Sequence, residues 1–129
     1  LYFGSLAAGS LGGMLFDPTA LTVGASGAVF GLMSATFIHQ KRRGISPWRS
    51  GIGGLLILNL IFTFGRSGIS IGGHLGGLLG GACLAWAIEE MDRKRLNRNL
   101  GLAVITTFTL LCLVAGIWAG NRWYDPVLG

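Results

Sequence analysis

Ser26 and His74 are two residues whose chemistry could be combined, and each follows glycines where an apolar segment begins. A serine hydroxyl becomes a nucleophile when a base removes its proton, and histidine, which titrates near neutral pH, is suited to that role. The pair therefore indicates nucleophilic catalysis of acyl transfer. Ser26 belongs to a short motif, Gly24-Ala25-Ser26-Gly27.

Each residue also has an ordinary structural interpretation. Ser26 could cap or pack a helix, and His74 could donate one hydrogen bond between helices. His74 is nevertheless the only ionisable side chain well inside an apolar segment, where such residues are candidates for function. His39, beside Lys41 and Arg42 at a segment end, is interpreted as interfacial.

The composition favours a membrane protein. Of the 129 residues, 51% are apolar and 12% are charged, and the mean hydropathy is +0.63. Soluble domains carry about 25% charged residues. We therefore predict an all-α fold, a polytopic transmembrane helical bundle forming a single membrane domain over residues 1–129. The predicted helices are approximately 1–16, 26–40, 51–64, 72–88 and 100–119.

The net charge of +5 is concentrated in two connectors between these segments, 41–49 and 93–98. Basic residues in alternate loops follow the positive-inside rule, which places both connectors in the cytoplasm. The second and fourth segments then run parallel and begin on the outer side. The basic runs lack interleaved aromatic residues, so nucleic-acid binding is not expected.

Small residues recur every four positions in the two segments that carry the reactive pair. Such stripes let membrane helices approach closely, so Ser26 and His74 are predicted to lie at similar depth. All five acidic residues fall in connectors or the tail, which leaves a dyad with no carboxylate to orient the imidazole. Phe30, one turn from Ser26, could stack on it instead. The stripes are Gly27, Gly31 and Ala35, and Gly73, Gly77 and Gly81.

These motifs resemble the rhomboid family over nearly the whole chain, as its third to sixth core helices plus one further helix. The G-x-S-G at Gly24–Gly27 would open the fourth core helix, and His74 with Gly77 and Gly81 would belong to the sixth. The separation of 48 residues between positions 26 and 74 is also similar to the family pattern. Phe30 matches a position that is usually Tyr in the family.

The resemblance implies an intramembrane serine endopeptidase that cleaves transmembrane segments of other proteins, with Ser26 as nucleophile and His74 as general base. The backbone at Gly24, Ala25 and Gly27 would frame the nucleophile. A His and an Asn of the second core helix would complete the oxyanion hole. That helix is not among these residues, so we expect preceding helices in the same protein and an inactive isolated chain.

The resemblance further implies a multi-pass protein of a lipid bilayer, expected in the bacterial plasma membrane, with no metal or organic cofactor. Two other functions stay open. A rhomboid-like protein could bind membrane clients without cutting them, although such relatives usually lose the serine or the histidine. A transporter fragment could use His74 as a proton relay, but further intramembrane acidic residues would then be expected.

Overall fold

The computed structural model describes residues 1–18 and 25–122, and every regular element among them is an α-helix. The predicted all-α fold is thus confirmed for this part of the chain. The five helices are α1 (Tyr2–Phe16), α2 (Ala25–Arg42), α3 (Ile52–Gly65), α4 (Ile71–Arg93) and α5 (Arg98–Arg122).

Two of the helices, α4 and α5, are long and apolar enough to cross a membrane. The 25 residues of α5 correspond to about 37 Å at ~1.5 Å per residue, more than the ~30 Å of a hydrocarbon core. Many large apolar side chains point outward, among them Leu79 at 61% and Ile117 at 67% exposure. Apolar exteriors on long apolar helices are those of an integral membrane protein.

Helix α4 lies at the centre of the bundle. It packs along α1 on one side and along α2 on another, whereas α5 packs mainly against α1. Helix α3 lies at the edge and contacts α2 and, more sparsely, α4. Only Gly53 and Thr63 of α3 are buried.

Glycine pairs allow α4 to pack against two helices at once. A Cβ atom on Gly27 of α2 would lie only 3.0 Å from the carbonyl oxygen of Gly73, so these backbones touch directly. On the other side, a Cβ on Gly76 would lie 3.2 Å from the Cα of Gly12 in α1. Two stripes on α4 therefore face different partners. Gly73, Gly77 and Gly81 lie toward α2, and Gly72, Gly76 and Gly80 lie toward α1.

Helix α4 continues to Arg93, beyond the end near residue 88 that the sequence suggested. The charged residues after Ile88 are helical because they pair along and between helices. Glu90 accepts hydrogen bonds from Arg93 within α4 and lies 3.5 Å from Arg42 of α2. Glu89 pairs with His39 of α2. These pairs join the ends of α2 and α4 that are distant from the glycine-rich beginnings of the two helices.

Candidate active site

Ser26 lies in the first turn of α2, which begins at Ala25. Its side chain is partly exposed, between the exposed Ala25 and the buried Gly27. Gly24, the first residue of the predicted motif, lies outside the described residues. A first-turn position places Ser26 at the positive end of the helix dipole.

His74 lies in the first turn of α4, where its backbone N–H donates to the carbonyl of Ser70 at 3.2 Å. The Ser70 hydroxyl caps this helix by accepting from the N–H of Gly73 at 3.0 Å. A serine N-cap of this kind satisfies one of the N–H groups that a helix leaves unpaired at its start. His74 is therefore held at a well-defined helix beginning.

The beginnings of α2 and α4 are in direct contact. Gly27 touches the carbonyl of Gly73, so Ser26 and His74 each lie next to one of the two touching glycines. One turn further along α2, the Phe30 ring stacks on the imidazole of His74 with centroids 4.4 Å apart and planes inclined by 27°. Residues at i and i+4 share a helix face, which puts Ser26 and Phe30 on the side of α2 that faces α4.

A further contact to the imidazole comes from α3 and was not predicted. The Oγ1 atom of Thr63 lies 2.7 Å from Nδ1 of His74. Thr63 is 1% exposed, although α3 is an otherwise largely exposed helix. The signal available in the sequence was weak: Thr63 is the one hydroxyl-bearing residue of the third apolar segment.

Asp17 is the second residue whose role the sequence did not reveal. Its carboxylate follows the end of α1, and Oδ2 accepts from the backbone N–H of Gly72 at 2.7 Å and from the Ser70 hydroxyl at 3.1 Å. The carboxylate thus ties the end of α1 to the beginning of α4. It supports the helix that carries His74 and is engaged with backbone and hydroxyl donors.

Serine and histidine are residue types that can together perform acyl transfer. Within residues 1–18 and 25–122, no group of three or more His, Cys, Asp or Glu side chains is placed to hold a metal ion. Such chemistry requires a hydroxyl, a base and a group that stabilises negative charge. The Ser26 hydroxyl lies at the beginning of α2, close to the positive end of its dipole. The His74 imidazole contacts the Phe30 ring and the Thr63 hydroxyl.

The fold is a bundle of apolar helices in which Ser26 and His74 lie in the first turns of two helices that touch. Residues 1–91 match the Rhomboid domain, and the chain belongs to the rhomboid family. It is also similar to the protein named Rhomboid protease GluP of Bacillus subtilis (strain 168), with 33% identity over 119 residues. That alignment covers 90% of this chain and 22% of GluP, so the chain spans about a fifth of the relative's length. No solved structure matches the chain significantly.

Proposed function

We propose that the protein containing this chain is an intramembrane serine endopeptidase, with Ser26 as the nucleophile and His74 as the general base. The observation that carries the proposal is the stacking of Phe30 on His74 beside the contact between Gly27 and Gly73. This packing supports a serine and an imidazole at one depth, on neighbouring helix beginnings. Membership of the rhomboid family supports the same activity.

In the proposed mechanism, Nε2 of His74 takes the proton of the Ser26 hydroxyl as Oγ attacks the scissile carbonyl carbon. The tetrahedral intermediate carries a negative oxygen, which the N–H of Ser26 and the dipole of α2 would stabilise. The C–N bond then breaks, and the amine leaves with the proton from His74. Water, deprotonated by the same imidazole, hydrolyses the acyl-enzyme and restores Ser26.

The proposed substrates are transmembrane segments of other membrane proteins in the same bilayer. Placing the basic ends of α2 and α4 in the cytoplasm puts Ser26 and His74 toward the outer side. The proposed location is the bacterial plasma membrane, in a multi-pass arrangement, and the similarity to a Bacillus subtilis protein named as a rhomboid protease supports a bacterial membrane protein. Because the chain spans 22% of that relative, the activity is proposed for the whole protein.

A fluorophosphonate probe, which reacts with activated serines, tests the proposal in the full-length protein. Labelling should be lost in Ser26→Ala and in His74→Ala. Two matched variants should label normally: Ser67→Ala, in the exposed turn before α4, and His39→Ala, at the far end of α2. Undiminished labelling of Ser26→Ala and His74→Ala would overturn the assignment of this pair. Absence of labelling in the unaltered protein would instead favour a client-binding protein without catalysis.

A further inference from the structure

Thr63 is unusual within its helix. It lies in the last turn of α3, and its neighbours Phe62 and Phe64 are 57% and 61% exposed, whereas Thr63 itself is 1% exposed. The bundle therefore encloses the threonine at a point where α3 turns its other side chains outward. One of the residues that enclose Thr63 is His74, whose Nδ1 lies 2.7 Å from the threonine Oγ1.

The protons of this contact can be accounted for atom by atom. A threonine hydroxyl has a single proton, and that of Thr63 is donated to the backbone carbonyl of Asn59, 2.8 Å away in the same helix. Toward His74 the oxygen can then act only as an acceptor. The short contact with the imidazole is satisfied if Nδ1 carries a proton and donates it. In the neutral ring this leaves the lone pair on Nε2.

We propose that Thr63 is a positioning residue that fixes His74 as the Nδ1–H tautomer and so reserves Nε2 for the proton of the nucleophile. The catalytic part of this inference rests on the proposed function, while the tautomer itself does not. Thr63 acts on the reaction only through His74. Phe30 fixes the plane of the ring from α2, and Thr63 fixes its rotation within that plane from α3.

Of the carboxylates that the structure describes, three are engaged with other partners, and Asp92 is exposed near the far end of α4. Asp17 accepts from Gly72 and Ser70, and Glu89 and Glu90 pair with basic residues at the opposite end of α4. In serine proteases with a triad, a carboxylate selects the tautomer and orients the imidazole. A neutral hydroxyl whose own proton is already donated can provide the same selection without placing a charge in the bundle.

Three variants of the full-length protein separate positioning from packing. Thr63→Val keeps the shape and removes the acceptor, and it should lower kcat for a fluorogenic transmembrane peptide by about ten- to hundredfold, with KM nearly unchanged, as expected when a buried donor loses its partner. Thr63→Ser keeps the acceptor and should retain most of the activity. The control is Thr36→Val, which removes an equivalent bond within a helix, from Thr36 Oγ1 to the carbonyl of Leu32. It should leave kcat unchanged.

Normal turnover in Thr63→Val would overturn the inference. So would equal losses in Thr63→Val and Thr63→Ser, because they would indicate a packing role. If turnover persists in Ser26→Ala, it is the proposed function that fails.

The tautomer can be read without any activity. In bilayers, the ¹⁵N spectrum of the neutral His74 ring, assigned by its loss in His74→Asn, should show a protonated Nδ1 and an unprotonated Nε2. The Thr63→Val variant should shift this equilibrium toward the Nε2–H form. A proton found on Nε2 in the unaltered protein would refute the tautomer assignment whether or not the protein is a protease.

Discussion

The aromatic ring of Phe30 lies against the imidazole of His74, with centroids 4.4 Å apart and planes 27° from parallel. The two residues belong to different helices, α2 and α4, and the contact lies next to the Gly27–Gly73 backbone contact. Phe30 is 4% exposed, so the stacking face is shielded from the surroundings. The ring therefore restricts the imidazole to one plane beside the beginning of α2.

Replacing Phe30 with Leu should lower kcat while leaving the protein folded. Leucine restores much of the volume but offers no flat face, and aromatic pairs contribute about 0.5–1.5 kcal/mol, which corresponds to a decrease of about two- to tenfold in kcat. Phe30→Tyr should keep the stacking. The matched control is Phe37→Leu, since Phe37 lies two turns further along α2 and packs on Trp48. Equal kcat values for the two leucine variants would refute a role for the stacking.

Adding one methyl group at Gly77 should separate α4 from α2. A Cβ there would lie 2.7 Å from the Cα of Gly27, and closer still to its carbonyl group. We expect Gly77→Ala to lower the free energy of unfolding in detergent by about 2–3 kcal/mol and to reduce probe labelling of Ser26. Gly54→Ala is the control, because a Cβ on Gly54 meets no atom within 4 Å. Similar unfolding in both variants would contradict the packing described above.

Removing the Asp17 carboxylate should loosen the beginning of α4. Asp17→Ala leaves the N–H of Gly72 and the hydroxyl of Ser70 without their acceptor, and losing a helix cap costs about 0.5–2 kcal/mol. Thermal unfolding of the purified protein should detect this loss. Asp92→Ala removes an exposed carboxylate from the other end of α4 and should change stability by less than about 0.5 kcal/mol. A stability loss as large in Asp92→Ala would argue against the cap.

The proposed orientation can be tested with single cysteines in a background lacking Cys83 and Cys112. Ser46→Cys lies in the basic connector after α2, and Ser67→Cys lies in the turn between α3 and α4. An impermeant maleimide should label Ser67→Cys in intact cells, and Ser46→Cys only after the cells are permeabilised. The reverse pattern would place the reactive residues on the cytoplasmic side, and labelling of both in intact cells would contradict a membrane-spanning α3.

The sequence predicted the features that depend on local repetition. Glycines at every fourth position of α4 predict a flat helix face, and one such face does lie against Gly27 and Gly31 of α2. The second stripe, on the α1 side, is equally regular but was not predicted. Which helix occupies a given face depends on the packing of the whole bundle, and the sequence of one segment does not contain that information.

Thr63 and Asp17 show a different limit of prediction. A threonine in an apolar helix ordinarily bonds its own carbonyl four residues back, and Thr63 does so with Asn59. Its second contact, to His74, arises only because the turn between α3 and α4 brings the two side chains together. Asp17 follows the end of α1, and the two donors from which its carboxylate accepts hydrogen bonds lie 53 and 55 positions further along the chain.

The backbone contacts of α4 also determine which positions of the protein can change during evolution and which cannot. Positions of α4 where glycine meets glycine, as at Gly77 against Gly27 and Gly81 against Gly31, cannot gain a side chain unless two helices move apart and alter the reactive pair. Outward positions such as Leu79 and Ile117 contact little protein, so one apolar residue can replace another there. Variation should therefore accumulate on the lipid-facing surface, while the small residues between helices change slowly and only in concert.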